Sequence, residues 1–279
     1  MSLTIALATR GRPELLRKTL GRTLPNIKRP DTRVAILADA DDTSTVEMSR
    51  GDWGEIVWSI EEREDSVGAK FNRVLKIAPA QVYMVMVDYV AYVTPGFDQK
   101  ILDAAELFPD GIGVVYNHMA NLSFPFMNAV TSGYVDKTGG IYQEYFPYWF
   151  VDHWLDDIAR MIGRISYADV EVKMDVKPPT QGHREPAFWA TLYDALTLER
   201  RRIARGIIDS PDFLETEWRK KILREHHPLI EERSAMLNNM VKTMAAMDKT
   251  TDERYERIRG RAVETMKRCM VEMEERLAA

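Results

Sequence analysis

Two apolar runs in this 279-residue chain each end on an acid: Val34 to Ala38 on Asp39, and Val82 to Val87 on Asp88. The second run, rich in Val and Tyr and far short of a membrane span, reads as a strand buried on both faces. Carboxylates at strand ends lie where open α/β sheets bind ligands. There they can hold a divalent ion against phosphate oxygens, or accept hydrogen bonds from a ribose or base. Thr9, Arg10 and Arg12 follow a third apolar run, Leu3 to Ala8. With Lys70 these arginines supply cations for a diphosphate, and Asp39 or Asp41 would take the ribose or base. Taken one at a time, each acid also suits a helix N-cap or a solvated turn. Several strand ends of one polarity favour a shared site.

The elements that must position these residues follow a strand–helix rhythm. Leu3 to Ala8 is a strand, and Arg10-Gly11-Arg12-Pro13 is a turn with Pro13 opening a helix over Glu14 to Leu24. Strands follow at Val34 to Ala38 and Ile56 to Ile60. A helix over Gly68 to Ala78 puts Phe71, Val74, Leu75 and Ala78 on one side, and the Val82 strand comes next. Thr94-Pro95-Gly96-Phe97 turns the chain into a helix from about Phe97 to Phe108, and Gly113 to Tyr116 is a further strand. This order predicts an α/β fold, a mostly parallel mixed sheet with helices on both faces. From Asn117 to Gln143 the periodicity fades, which predicts a long irregular segment with Gly139-Gly140 at a loop tip. Phe150 to Ile162 returns to helix and Ile165 to Val172 to strand.

Pro178-Pro179 to Pro186 reads as a linker that divides residues 1–185 from a helical extension over 186–279. In the extension Leu237, Met240, Met244 and Met247 recur at helix spacing, as do Met266, Met270, Met273 and Leu277. Such seams pack on the main domain, on each other, or on a second copy of the chain.

Composition narrows the function classes. A net charge of −5 gives no basic footprint, so no nucleic-acid partner is expected. The one cysteine, Cys269, excludes an internal disulfide framework and suits a reducing compartment. No run approaches the ~20 apolar residues of a membrane span, and Met1 to Thr9 lacks the basic start of a signal peptide. A soluble, cytoplasmic protein is expected. No P-loop, G-x-G-x-x-G, H-E-x-x-H or paired C-x-x-C occurs.

In this order the residues resemble those of GT-A-fold glycosyltransferases of the family-two type, over about Leu3 to Asp175. The family's T-x-R-x-P-x-x-L opening is matched by Thr9-Arg10-Gly11-Arg12-Pro13-Glu14-Leu15-Leu16. Its acidic second strand end is matched by Asp39, Asp41 and Asp42. Its G-x-x-x-N segment is matched by Gly68 to Asn72, with Arg63 just upstream. Its fourth strand end and T-P-G-[FW]-D are matched by Asp88 and by Thr94 to Asp98, and an aromatic, acidic helix start by Tyr148 to Asp157.

The resemblance implies a GT-A, Rossmann-like domain over residues 1–185 and a nucleotide-diphosphate sugar as donor. Thr9, Arg10, Arg12, Asp39, Asp41, Arg63, Lys70 and Asn72 would bind that donor. Asp88 would carry a divalent metal, Mn²⁺ or Mg²⁺. Here the chain departs from the family, because Asp88-Tyr89-Val90 keeps one carboxylate where two or three are usual. His183 or Asp175 are candidates for a second metal ligand. The family places its acceptor-activating base near Asp156, Asp157 and Asp152, acids that equally suit a helix N-terminus. Tyr148, Trp149 and Trp154 would stack on sugar faces or fill the core. The reaction implied is glycosyl transfer to an acceptor hydroxyl of unknown identity. The reduced metal motif and the helical tail support a second expectation: a catalytically degenerate GT-A-like binding or assembly module that oligomerises through the tail.

Overall fold

The computed structural model describes residues 1–117, 128–175 and 186–224, and the positions Arg257, Gly260, Arg261, Glu264 and Lys267. The described residues fall into two compact units. The first comprises those in 1–64, 69–141 and 164–178, the second those in 65–68, 142–163 and 179–279.

The first unit is built on β1 (Leu3–Ala8), β2 (Arg33–Asp39), β3 (Val57–Glu61), β4 (Val82–Val87), β5 (Val90–Tyr92), β6 (Val114–Asn117), β7 (Asn128–Thr131), β8 (Ile165–Ala168) and β9 (Val172–Met174). Seven of these form one sheet in the order β3-β2-β1-β4-β7-β6-β8, while β5 and β9 pair separately. β7 runs antiparallel to both β4 and β6, and all other pairs of the large sheet are parallel. Such a mostly parallel sheet is covered on both faces, which is why β1, β2 and β4 are near-continuous apolar runs with almost every side chain buried.

Helix α1 (Pro13–Thr23) starts on Pro13, whose fixed φ suits a first turn, and buries Leu16, Thr19, Leu20 and Thr23. Two of those threonines fasten the segment after β4. The Thr19 hydroxyl donates to the Asp88 carbonyl (2.8 Å), and the Thr23 hydroxyl accepts from the Tyr92 amide (3.2 Å). Helices α2 (Thr43–Ser49), α3 (Val67–Asn72), α4 (Val74–Ile77), α5 (Phe97–Ala105) and α6 (Ser132–Thr138) complete the chain as far as Gly139.

Several sequence expectations are corrected here. The segment from Asn117 to Gln143 is not wholly irregular: its described part holds β7 and α6. β7 is only four residues long and wholly buried, so no alternation marks it. Thr131 caps α6, accepting from the Tyr134 amide, and Gly139 closes it at φ 82°. Gly139-Gly140 is therefore a helix stop rather than a loop tip. The expected helix over Gly68 to Ala78 breaks into α3 and α4. The expected strand over Ile165 to Val172 divides between two sheets as β8 and β9, and the helix from Phe97 ends at Ala105.

The second unit contains α7 (Val151–Met161), α8 (Pro186–Ala195), α9 (Thr197–Ile208) and a helical stretch at 217–224. Its core is aromatic. The Phe146 ring lies 5.9 to 6.4 Å from those of Phe150, Trp154, Trp189 and Tyr193, and Phe150 stacks on Tyr193 at 5.2 Å. Phe150 has φ 73°, a left-handed conformation that a bulky residue holds only when its surroundings over-determine it. Trp154, at 1% exposure, is core rather than a sugar platform. The methionine seams of the tail lie outside the described residues.

Candidate functional site

Strand register assembles the candidate site in the first unit. Ala8 pairs with Leu37 on one side and Val87 on the other. Thr9, Asp39 and Asp88 therefore leave the sheet at the same edge, the carboxyl ends of three adjacent parallel strands.

Asp88 is completely buried. Its Oδ2 accepts from the Thr9 hydroxyl (2.8 Å) and lies 2.9 Å from Arg12 Nε, an ion pair without hydrogen-bond alignment. Its Oδ1 is buried and has no hydrogen-bond partner. Burial lifts the Asp88 carboxyl above its ordinary range, against the pull of Arg12 and Thr9. The Arg12 guanidinium also faces the Tyr89 ring, 5.9 Å from its centroid.

Asp39 is held from two sides. Lys70 Nζ donates to Oδ1 (2.7 Å) and to the Thr9 carbonyl (2.9 Å), and Arg10 donates to Oδ2 (2.9 Å). Burial lowers the Lys70 ammonium, with Asp39 opposing the shift. Arg10 also forks onto both oxygens of Asp41, which raises the guanidinium and lowers the Asp41 carboxyl. The charge of Arg63 adds to the lowering of Asp41. Asp42 caps α2: it accepts from the Thr45 amide (3.3 Å), the Ser44 hydroxyl (2.8 Å) and the Gly11 amide (2.6 Å). Burial would raise its carboxyl, but those bonds together bring it below the ordinary range.

Of the expected donor-binding residues, Thr9, Arg10, Arg12, Asp39, Asp41 and Lys70 thus form one connected network with Asp88. Asn72 does other work, accepting from the Ile141 amide (2.9 Å) and tying down the chain after α6. Asp175 pairs with Lys18 Nζ (2.5 Å) and Arg22 (3.0 Å) on α1, contacts that lower its carboxyl. His183 lies outside the described residues. Sequence reasoning missed Glu64 and Arg73. Arg73 bonds the Ala38 carbonyl (3.0 Å) and pairs with Glu64 (2.9 Å), fixing the backbone beside Asp39. The available signal was a second basic residue, Arg73, three positions after Lys70 on the expected helix.

In the second unit the acids of α7 differ in surroundings. Asp156 pairs with Arg160 (2.7 Å) and is fully buried. Asp157 accepts from the Tyr193 hydroxyl and lies 3.2 Å from Arg200 Nε, whose guanidinium sits 3.8 Å from the Tyr193 centroid. Asp152 keeps about a quarter of its side chain exposed and bonds His153 Nδ1 (2.9 Å). Burial would raise its carboxyl, but the His153 charge and hydrogen bonds hold it below the ordinary range.

No family model and no curated protein sequence matches the chain. Solved structures do match in fold. Residues 1–349 of Staphylococcus aureus TarS in complex with UDP-GlcNAc align with a TM-score of 0.57 at 12% identity, over 85% of this chain and 74% of that one. The same TarS fragment without the sugar nucleotide gives 0.52 at 14% identity, over 85% and 73%. The mannosyltransferase PcManGT of Pyrobaculum calidifontis, in complex with GDP-Man and Mn²⁺, gives 0.50 at 14% identity, over 95% and 80%. With the strand order and the cluster at the strand ends, these likenesses establish that the chain has a GT-A-type fold, mostly parallel and Rossmann-like.

Proposed function

We propose that the chain is a glycosyltransferase that moves a sugar from a nucleotide-diphosphate donor to an acceptor hydroxyl. One observation carries this reading: Arg10, Arg12 and Lys70 are held among Thr9, Asp39 and Asp88 at one edge of a GT-A-type sheet. The similar folds seen with UDP-GlcNAc and with GDP-Man support it. In the reaction the bond from the anomeric carbon to the diphosphate oxygen breaks, and a bond to the acceptor oxygen forms. The acceptor proton passes to a carboxylate. The cations stabilise the charge gathering on the leaving diphosphate, where fixed and half-buried groups act more strongly than in water. Asp41 and Arg63 would take the ribose or base.

We assign the base to Asp152, the α7 acid with solvent access; Asp156 and Asp157 are committed to buried arginines. Among the described residues no group of three His, Cys, Asp or Glu side chains could hold a metal ion. At this edge the oxygens of Asp39, Asp41 and Asp42 are engaged by protein donors and only Asp88 Oδ1, itself buried, is left, too few ligands to hold a resident Mn²⁺ or Mg²⁺ before phosphate oxygens arrive. Among the described residues no helix is long and apolar enough to cross a membrane.

Thermal melts with UDP- and GDP-sugars test the donor reading, since a native-state ligand must raise the melting temperature. A rise with at least one donor, and sugar transfer or slow donor hydrolysis by the same protein, is the expected result. No shift with any sugar nucleotide at millimolar concentration would end the reading. A shift without turnover would point instead to a binding module on the same scaffold.

A further inference from the structure

We propose that Arg12 is the cation that receives the donor's diphosphate, anchored on Asp88, and that donor binding therefore runs without a divalent ion. The inference rests on the glycosyltransferase reading and deepens it. Its ground is how Arg12 is held. Nε lies 2.9 Å from Asp88 Oδ2, and the guanidinium faces Tyr89 at 5.9 Å. The two terminal nitrogens have no hydrogen-bond partner among the described residues, and the side chain is 25% exposed. A guanidinium fixed at its stem and open at its fork is suited to two parallel hydrogen bonds with phosphate oxygens.

The surroundings agree. After Asp88 the chain places Tyr89 against Arg12, and Val90, wholly buried, pairs with Met174 between β5 and β9. The positions beside Asp88 thus carry an aromatic face and an apolar strand residue. Asp175, whose amide donates to the Tyr89 carbonyl (2.8 Å), spends both carboxylate oxygens on Lys18 and Arg22. Each of these carboxylates already has a protein cation. Asp88 Oδ1 is unpartnered but buried, so it offers nothing to an ion arriving from solvent.

The test measures binding of UDP-GlcNAc, GDP-Man and metal-free pyrophosphate by calorimetry, each with EDTA and with Mn²⁺. The expected result is that affinity in EDTA stays within about twofold of that in Mn²⁺. Arg12→Ala should weaken binding at least about tenfold, the scale of a charge-assisted pair, and Arg12→Lys should recover only part of it. Circular dichroism confirms that both variants fold. Binding lost in EDTA, restored by Mn²⁺ and indifferent to Arg12→Ala would overturn the proposal. So would a failure of pyrophosphate and both donors to bind in either buffer. Arg12-dependent, metal-free pyrophosphate binding without any sugar-nucleotide binding would uphold the anion site and remove the glycosyltransferase reading instead.

Discussion

Asp88 is a carboxyl group shut off from water, and that sets a measurable cost in stability. Its folded-state carboxyl titrates above the ordinary range, chiefly through burial. The folded protein therefore binds this proton more tightly than the unfolded chain does, so Asp88 favours folding at low pH and opposes it as pH rises through the folded value. Asp88→Asn should raise the melting temperature at pH 7 to 8 by on the order of 2–4 °C, the scale of about 1 kcal/mol for a chain of this size. The gain should vanish towards pH 4 in scanning calorimetry, while donor binding falls. Replacing Asp157 should lower stability instead. Asp157→Asn strands the buried Arg200 and should cost about 3–5 kcal/mol in urea denaturation, whereas Asp152→Asn loses only its pair with His153, should cost about 1 kcal/mol, and should depress turnover. Equal losses of stability in the two variants would erase the distinction drawn between them.

At the level of elements, what was readable in the sequence was whatever repeats locally. Pro13 announced α1, and the apolar runs of β1, β2 and β4 stood out because a strand covered on both faces needs no polar residue. The acids at their ends were visible for the same reason, as abrupt stops. Illegible were β7, whose four residues are defined by long-range pairing with β4 and β6, and the break between α3 and α4. The roles of the α7 acids could not be read either, since Arg200 comes forty-three positions after Asp157 and only the tertiary structure brings it there. Asp98 shows how a recognisable motif can carry a structural duty. Fully buried at the start of α5, it accepts from the Lys28 and Arg29 amides and the Thr32 hydroxyl, pinning the segment that leads into β2. Asp98→Ala should cost about 2–4 kcal/mol in urea denaturation, because three donors lose one acceptor. A cost under about 1 kcal/mol would show that water replaces it readily.

Among the described residues, six carboxylates are held below their ordinary range and three above it. Asp41 and Asp175 are lowered first by hydrogen bonds from Arg10 and Lys18, while in Asp42 and Asp152 hydrogen bonds and charge overcome burial. Each contributes stability that is fully present above the unfolded value near 4 and is lost as pH falls through the lower folded value. Thermal melts from pH 8 to 2.5 should therefore be nearly flat to about pH 5 and then fall steeply. Arg10→Gln should blunt that fall, since it removes the partner of Asp41. A profile unchanged by Arg10→Gln would mean that the exposed Arg10–Asp41 fork contributes little, as surface pairs often do.

The reversed strand β7 has a consequence for biogenesis. The four-stranded portion β3-β2-β1-β4 is encoded entirely before residue 88, whereas the remaining strands of the large sheet need residues as late as 168. A nascent chain can thus complete the portion bearing Thr9, Asp39 and Asp88 while β4 still presents an open flank. Ribosome-stalled fragments ending near residue 110 should already protect β1 and β2 amides from exchange. They should also be the stage most prone to intermolecular strand pairing, until β7 arrives to cover that flank.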